Sequence, residues 1–142
     1  MSTHIGITYS AIAGTAAGLG RAGGGKTVIA DRPEGAAGGM GLGLDGGELL
    51  SAALGGCFWN DLHYVAAASG VPVQVQAVEA EIELAGNPPR VVRAHVRARL
   101  AGNEDRMLQA VFDEATRAST VAGSLTGAFP IVFDRLAAGD GA

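Results

Sequence analysis

From Val92 to Leu100 apolar and charged residues strictly alternate, with Val92, Ala94, Val96, Ala98 and Leu100 in one phase and Arg93, His95, Arg97 and Arg99 in the other. That period fits a strand with one buried and one wet face. The segment before it alternates too: Val73, Val75 and Ala77 share one phase, then Val78, Ala80, Ile82 and Leu84 the other, with Glu79, Glu81 and Glu83 between them. The slip at Ala77/Val78 predicts a β-bulge, and Asn87-Pro88-Pro89 supplies the turn of a hairpin. An acidic stripe then faces a basic stripe, each opposed pair contributing ~0.2–1 kcal/mol. These charges, His95 among them, read as a solvated sheet face.

The hairpin needs something to cover its apolar side. From Glu48 to Ser69, Leu50, Leu54, Cys57, Phe58, Leu62 and Val65 recur at helical spacings with few charges on any side, which predicts a central, mostly buried helix. Asp45 and Glu48 have capping-box spacing, and Gly70 and Pro72 close the helix. Upstream, His4 to Ala13 reads as an opening strand, Gly14 to Gly25 as a loop and Lys26 to Ala30 as a second strand stopped by Pro33. Gly35 to Gly47 holds seven glycines in thirteen residues and reads as a loop flanking a site. Downstream, Asn103 is the expected N-cap of a helix carrying Leu108, Val111, Phe112 and Ala115 on one face. A break at Ala118-Ser119-Thr120 precedes a short helix over 121–127, a last strand over 129–133 and a frayed tail over 137–142. The order β-β-α-β-β-α-α-β implies an α+β fold, an antiparallel sheet wrapped around a long central helix. Residues 1–142 are read as one domain with one core.

Several functions are excluded at this level. A net charge of −4, a pI near 5.2 and no clustered Lys or Arg argue against nucleic acid as a partner. Met1 to Ser10 has no basic stretch leading into an apolar one, and no window approaches the roughly 20 apolar residues of a membrane span. A cytoplasmic protein without a membrane partner is expected. Gly20 to Thr27 spells a P-loop and Gly18 to Gly23 a dinucleotide fingerprint, but both motifs must run into a helix that faces the phosphate. Here Thr27-Val28-Ile29 leads within a turn to Asp31-Arg32-Pro33, and in a chain with 23 glycines such matches arise by chance. His4, His63 and His95 fall on three different elements and Cys57 is the only cysteine, so neither a metal nor a cofactor is expected. A lone thiol forms no intramolecular disulfide. Cys57 is an inert small hydrophobe, a reactive thiol or one half of an intermolecular bridge.

The stretch Gly47-Glu48-Leu49-Leu50-Ser51-Ala52-Ala53-Leu54-Gly55-Gly56-Cys57-Phe58 resembles that of the OsmC/Ohr family of organic hydroperoxide reductases, which runs from a Glu-Leu pair through small residues to Cys-Phe. The resemblance implies an OsmC-like fold, an intertwined homodimer, a first cysteine that attacks peroxide, and a second that resolves the product. It also implies a glutamate and an arginine that activate the nucleophile. By position the nucleophile is Cys57 and the glutamate Glu48. The arginine is Arg21, in Gly20-Arg21-Ala22-Gly23, with Arg32 as its rival. The family's Cys-Pro-Val-Ser-x-x-Leu motif falls on Ser119-Thr120-Val121-Ala122-Gly123-Ser124-Leu125, so Ser119 stands where the resolving thiol would be.

The chemistry is consistent with these roles. A guanidinium favours a thiolate and stabilises a leaving alkoxide, and a carboxylate fixes the guanidinium. Glu48 and Cys57 are nine residues apart, which at about 100° per residue sets them on opposite sides of one helix. Glu48 and Arg21 therefore approach from a bent helix start or meet the partner subunit's Cys57. Asp61, one turn beyond Cys57, opposes a thiolate. Without a second cysteine the oxidised thiol needs an external thiol or dithiol reductant. Two functions follow: a one-cysteine reductase of organic hydroperoxides, or a non-catalytic protein of the same fold holding a small apolar ligand beside Phe58 and Trp59. On the plainest reading Glu48 is only a cap, Ser119 only the N-cap of the short helix, and Arg21 only solvated.

Overall fold

The alternation between residues 74 and 101 folds as expected, into a long antiparallel hairpin. The structure, a computed structural model, describes residues 1–137. In chain order its elements are β1 (Ile7–Ala11), β2 (Gly18–Ala22), β3 (Thr27–Ala30), α1 (Gly46–Ser69), β4 (Gln74–Ala85), β5 (Arg90–Ala101), α2 (Asp105–Ala118), α3 (Thr120–Leu125) and β6 (Ile131–Leu136). They fall into two compact units, residues 1–49 and residues from Leu50 onward. The expected fraying of 137–142 lies, beyond Ala137, outside the described residues.

In the second unit β4 and β5 pair Glu79 with Arg97, Glu81 with His95 and Glu83 with Arg93, so the acidic and basic stripes do face each other. Arg97 reaches both Glu79 (3.8 Å) and Glu81 (3.5 Å). The register slips between Val75 and Ala77, one step before the expected bulge, and again between Glu83 and Leu84. Gln76 is the extra residue, and the small Ala77 sits on either face without penalty, which disguised the slip. The opposite face of β5 buries Ala94, Val96, Ala98 and Leu100.

One expectation is corrected here. β6 joins β5 in parallel, from Ala94↔Ile131 to Arg99↔Leu136, so the sheet order is β4-β5-β6 and the sheet is mixed rather than antiparallel. A parallel neighbour needs a long crossover, and α2 with α3 provides it. β6 begins at Ile131 rather than Phe129, because Pro130 has no N–H to donate. Its carbonyl instead accepts the Ala94 N–H at 3.0 Å.

α1 lays Leu54, Phe58 and Leu62 onto this sheet and onto Leu108, Val111, Phe112 and Ala115 of α2. The Phe58 ring meets Phe112 edge to face at 5.4 Å and Phe133 at 4.9 Å. α1 ends at Gly70, whose φ of 69° is the left-handed conformation a helix stop uses. The helix is apolar all round but buried along one stripe only, with Trp59 39% and Tyr64 72% exposed. α2 starts two residues past Asn103, with Glu104 at the N-cap position and no side-chain cap. Asp105, in the first turn as expected, is held by Arg135 of β6 at 2.6 Å, and Gln109 is held by the same guanidinium at 2.8 Å.

The first unit is a three-stranded antiparallel sheet, β1-β2-β3, where one strand fewer was expected. β2 lies inside the supposed loop 14–25. Its sequence, Gly-Leu-Gly-Arg-Ala, has little strand propensity. Tertiary packing explains the glycine: a Cβ on Gly20 would come within 2.8 Å of both Ile7 Cδ1 and Tyr9 Cε1, so the neighbouring side chains occupy the space above its backbone.

Candidate functional site

Cys57 sits half-buried on α1, beside the fully buried Phe58. Asp61 lies one helical turn on, where i,i+4 side chains meet, and the thiol donates to its Oδ2 at 3.5 Å. Ser119 reaches the sulfur as well, its hydroxyl donating to Cys57 Sγ at 3.8 Å across 62 residues of sequence. The helix break makes this possible. α2 ends at Ala118 and α3 starts at Thr120, leaving Ser119 extended (φ −60°, ψ 116°) at the corner between them. Ser119 holds the N-cap position of α3, and its carbonyl accepts the Gly123 N–H at 2.9 Å, but its side chain makes no capping bond. It is 3% exposed. The chain thus brings Cys57 and Ser119 within hydrogen-bonding reach.

The other site candidates lie in the first unit and have partners there. Arg21, exposed on β2, donates to Ser10 Oγ at 3.0 Å. Glu48 and Asp45 form the expected capping box: the Glu48 N–H donates to Asp45 Oδ1 at 2.9 Å and the Asp45 N–H to Glu48 Oε1 at 3.1 Å. Arg32 donates to the Ala16 carbonyl at 2.5 Å and to Asp31 Oδ1 at 3.3 Å. Arg32 also borders a cavity of about 500 Å³, together with Tyr9, Ser10, Thr15, Asp45 and Leu49.

Asp31 has a role that the sequence motifs do not point to. Its buried carboxylate accepts the backbone N–H groups of Arg32 (2.8 Å), Met40 (3.1 Å) and Leu42 (3.0 Å), which ties down the glycine-rich loop. An Asp ahead of a glycine-rich run offers such a loop an acceptor, and that was the available signal. The Leu42 N–H above all, then those of Met40 and Arg32 and the Arg32 charge, hold its acid dissociation below the ordinary 3.8 despite burial. A carboxyl depressed on folding adds stability above its unfolded value and loses it as pH falls through the folded one. Asp31→Asn is therefore expected to lower the thermal midpoint at pH 7, with the difference from wild type shrinking below about pH 4. Calorimetry across that range checks it, and equal midpoints at pH 7 would refute the role.

His63 and His95 have structural partners. His63 Nδ1 lies 2.8 Å from the Trp59 carbonyl. His95 accepts from Arg97 at Nδ1 (2.7 Å), which leaves Nε2–H to donate to Asp134 at 2.5 Å. Among the described residues no three His, Cys, Asp or Glu side chains converge as a metal site would require. The run that spells a P-loop folds as β2, a turn at Gly23–Gly25 and β3, not as a loop entering a helix. Of the two residues expected to border a ligand cavity, the Phe58 ring is 0% exposed and packed among Phe112 and Phe133, while Trp59 is 39% exposed.

A thiol on a core helix, faced by a hydroxyl from a helix corner and set over a mixed three-stranded sheet, defines an α+β protein with a candidate thiol site. The sequence profile of the family described as OsmC-like protein matches residues 38–134, about two-thirds of the chain, and the chain belongs to that family. Glu48, Cys57 and Ser119 lie inside the matched span, whereas Arg21 and Arg32 lie before it. The fold is shared with an OsmC-like protein of unknown function from Vibrio cholerae (TM-score 0.75, 16% identity, 95% of this chain and 100% of that one). It is shared too with an organic hydroperoxide resistance protein OsmC from Legionella pneumophila (0.71, 16%, 94% and 96%). A third is the organic hydroperoxide resistance protein OhrB of Bacillus subtilis (0.68, 14%, 94% and 98%). At these identities the likeness is one of fold. No curated protein is significantly similar in sequence. Among the described residues no helix is long and apolar enough to cross a membrane.

Proposed function

We propose that this chain is a thiol-dependent reductase of organic hydroperoxides, acting in oxidative stress defence through Cys57 alone. The observation that carries the reading is a half-exposed thiol on α1 with the Ser119 hydroxyl directed at its sulfur; the family resemblance assigns the resolving cysteine to the Ser119 position. Cys57 attacks the terminal oxygen of ROOH, the S–O bond forms as the O–O bond breaks, and the alcohol leaves with the proton. One external thiol converts the sulfenic acid to a mixed disulfide and water, and a second frees Cys57. Arg21 and Glu48 are proposed as electrostatic support, with Arg32 as the rival arginine. We place the protein in the cytoplasm, where small thiols are kept reduced.

A homodimer is part of the proposal. The exposure of Trp59 and Tyr64 on the apolar helix α1 suits a second copy better than water, and sedimentation equilibrium returning a monomer at micromolar concentration would remove it. The reductase reading is tested by titrating free thiol before and after one equivalent of cumene hydroperoxide, with Cys57→Ser as blank and hydrogen peroxide for comparison. Loss of one thiol per chain, faster with the organic peroxide and restored by dithiol, is expected. A surviving thiol would leave the second reading, a non-catalytic protein of this fold that binds a small apolar ligand, which the Asp61 carboxylate beside the sulfur favours.

A further inference from the structure

Ser119 presents a puzzle of hydrogen bonding. Its hydroxyl is buried, it holds an N-cap position yet caps nothing, and its side chain donates to sulfur. A neutral thiol is a weak acceptor, and a buried hydroxyl with a weak partner is costly. The same hydroxyl aimed at a thiolate makes a charge-assisted bond, which is considerably stronger. The Ser119 hydroxyl is thus better matched to a charged sulfur than to a resting thiol, and it works against the Asp61 carboxylate, which accepts from the thiol at 3.5 Å and opposes a charge there.

We infer that Ser119 is a catalytic residue: its hydroxyl stabilises the Cys57 thiolate for attack and then holds the oxygen of the Cys57 sulfenic acid until an external thiol arrives. This rests on the reductase reading and adds a group to it. The position then does more than lack a thiol, because a hydrogen-bond donor there replaces internal resolution by protection of the oxidised intermediate. The bonds made and broken are those of the reductase cycle, and Ser119 undergoes no covalent change.

Iodoacetamide alkylation of Cys57 between pH 6 and pH 10, with no peroxide present, tests the donor role separately from the reductase reading. Ser119→Ala is expected to slow alkylation at pH 7 roughly tenfold, just under the low end of what one hydrogen bond to a charged group contributes, as its 3.8 Å length warrants, while the rate at high pH stays near wild type. Ser119→Thr, which keeps a hydroxyl, should restore most of the pH 7 rate, and circular dichroism verifies that both variants fold. A Ser119→Ala profile that superimposes on wild type would overturn the inference. So would a uniform change at every pH, which marks altered access to the sulfur rather than a lost donor. Peroxide consumption by the wild-type protein, measured alongside, judges the reductase reading separately.

Discussion

Replacing Asp61 with asparagine is expected to make Cys57 react about tenfold faster with iodoacetamide, and correspondingly faster with organic hydroperoxide, at pH 7. Asp61 Oδ2 lies 3.5 Å from the sulfur and accepts a hydrogen bond from the thiol. Two like charges about 4 Å apart repel by about 4 kcal/mol at the effective dielectric of a protein surface. Both residues are only partly buried, so water screens much of this. A residual of about 1.4 kcal/mol corresponds to the tenfold. The amide keeps the shape of the side chain and removes the charge. An unchanged rate would mean that a cation already neutralises Asp61, and a slower one that Asp61 serves as the proton acceptor of the thiol.

Phe58→Ala is expected to cost about 3–5 kcal/mol of stability, the usual range for truncating a buried aromatic. The ring is 0% exposed, and it is the residue of α1 that meets both Phe112 of α2 and Phe133 of β6. Removing it takes away two aromatic contacts and opens a void at the junction of three elements. Urea unfolding should show a lower midpoint with unchanged slope. A loss below about 1 kcal/mol would mean the neighbouring side chains collapse into the space. Because Phe58 adjoins Cys57, the same variant should also loosen the thiol's surroundings, which a change in alkylation rate at all pH values would report.

The elements with strong periodicity were legible before any coordinates. β4 and β5 announce themselves by alternation, α1 by its apolar positions and the Asp45/Glu48 box, and the inner face of α2 by Leu108, Val111, Phe112 and Ala115. β2 was not legible, because Gly18 and Gly20 carry no side chain to alternate and gain their strand conformation from Ile7, Tyr9 and Val28 around them. Asn103 does not cap α2, which starts at Asp105 with Glu104 at the N-cap position and no side-chain cap. The candidate site divides the same way. Cys57 as the single thiol and Asp61 one turn away are read from the sequence directly and Ser119 was singled out by the family resemblance, while Asp31 as the anchor of the glycine-rich loop was not foreseen.

Local order along one element, such as which residues share a helix face, which stripe of a hairpin is charged and where a helix must stop, depends on neighbours a few positions away and was written in the amino-acid order. Relations between segments far apart in the chain depended on the folded backbone. The parallel addition of β6 to β5 and the turning of the Ser119 hydroxyl from capping α3 to the Cys57 sulfur are relations of that kind. Each exists because the folded backbone brings a donor to an acceptor, and no periodicity in the sequence encodes that distance.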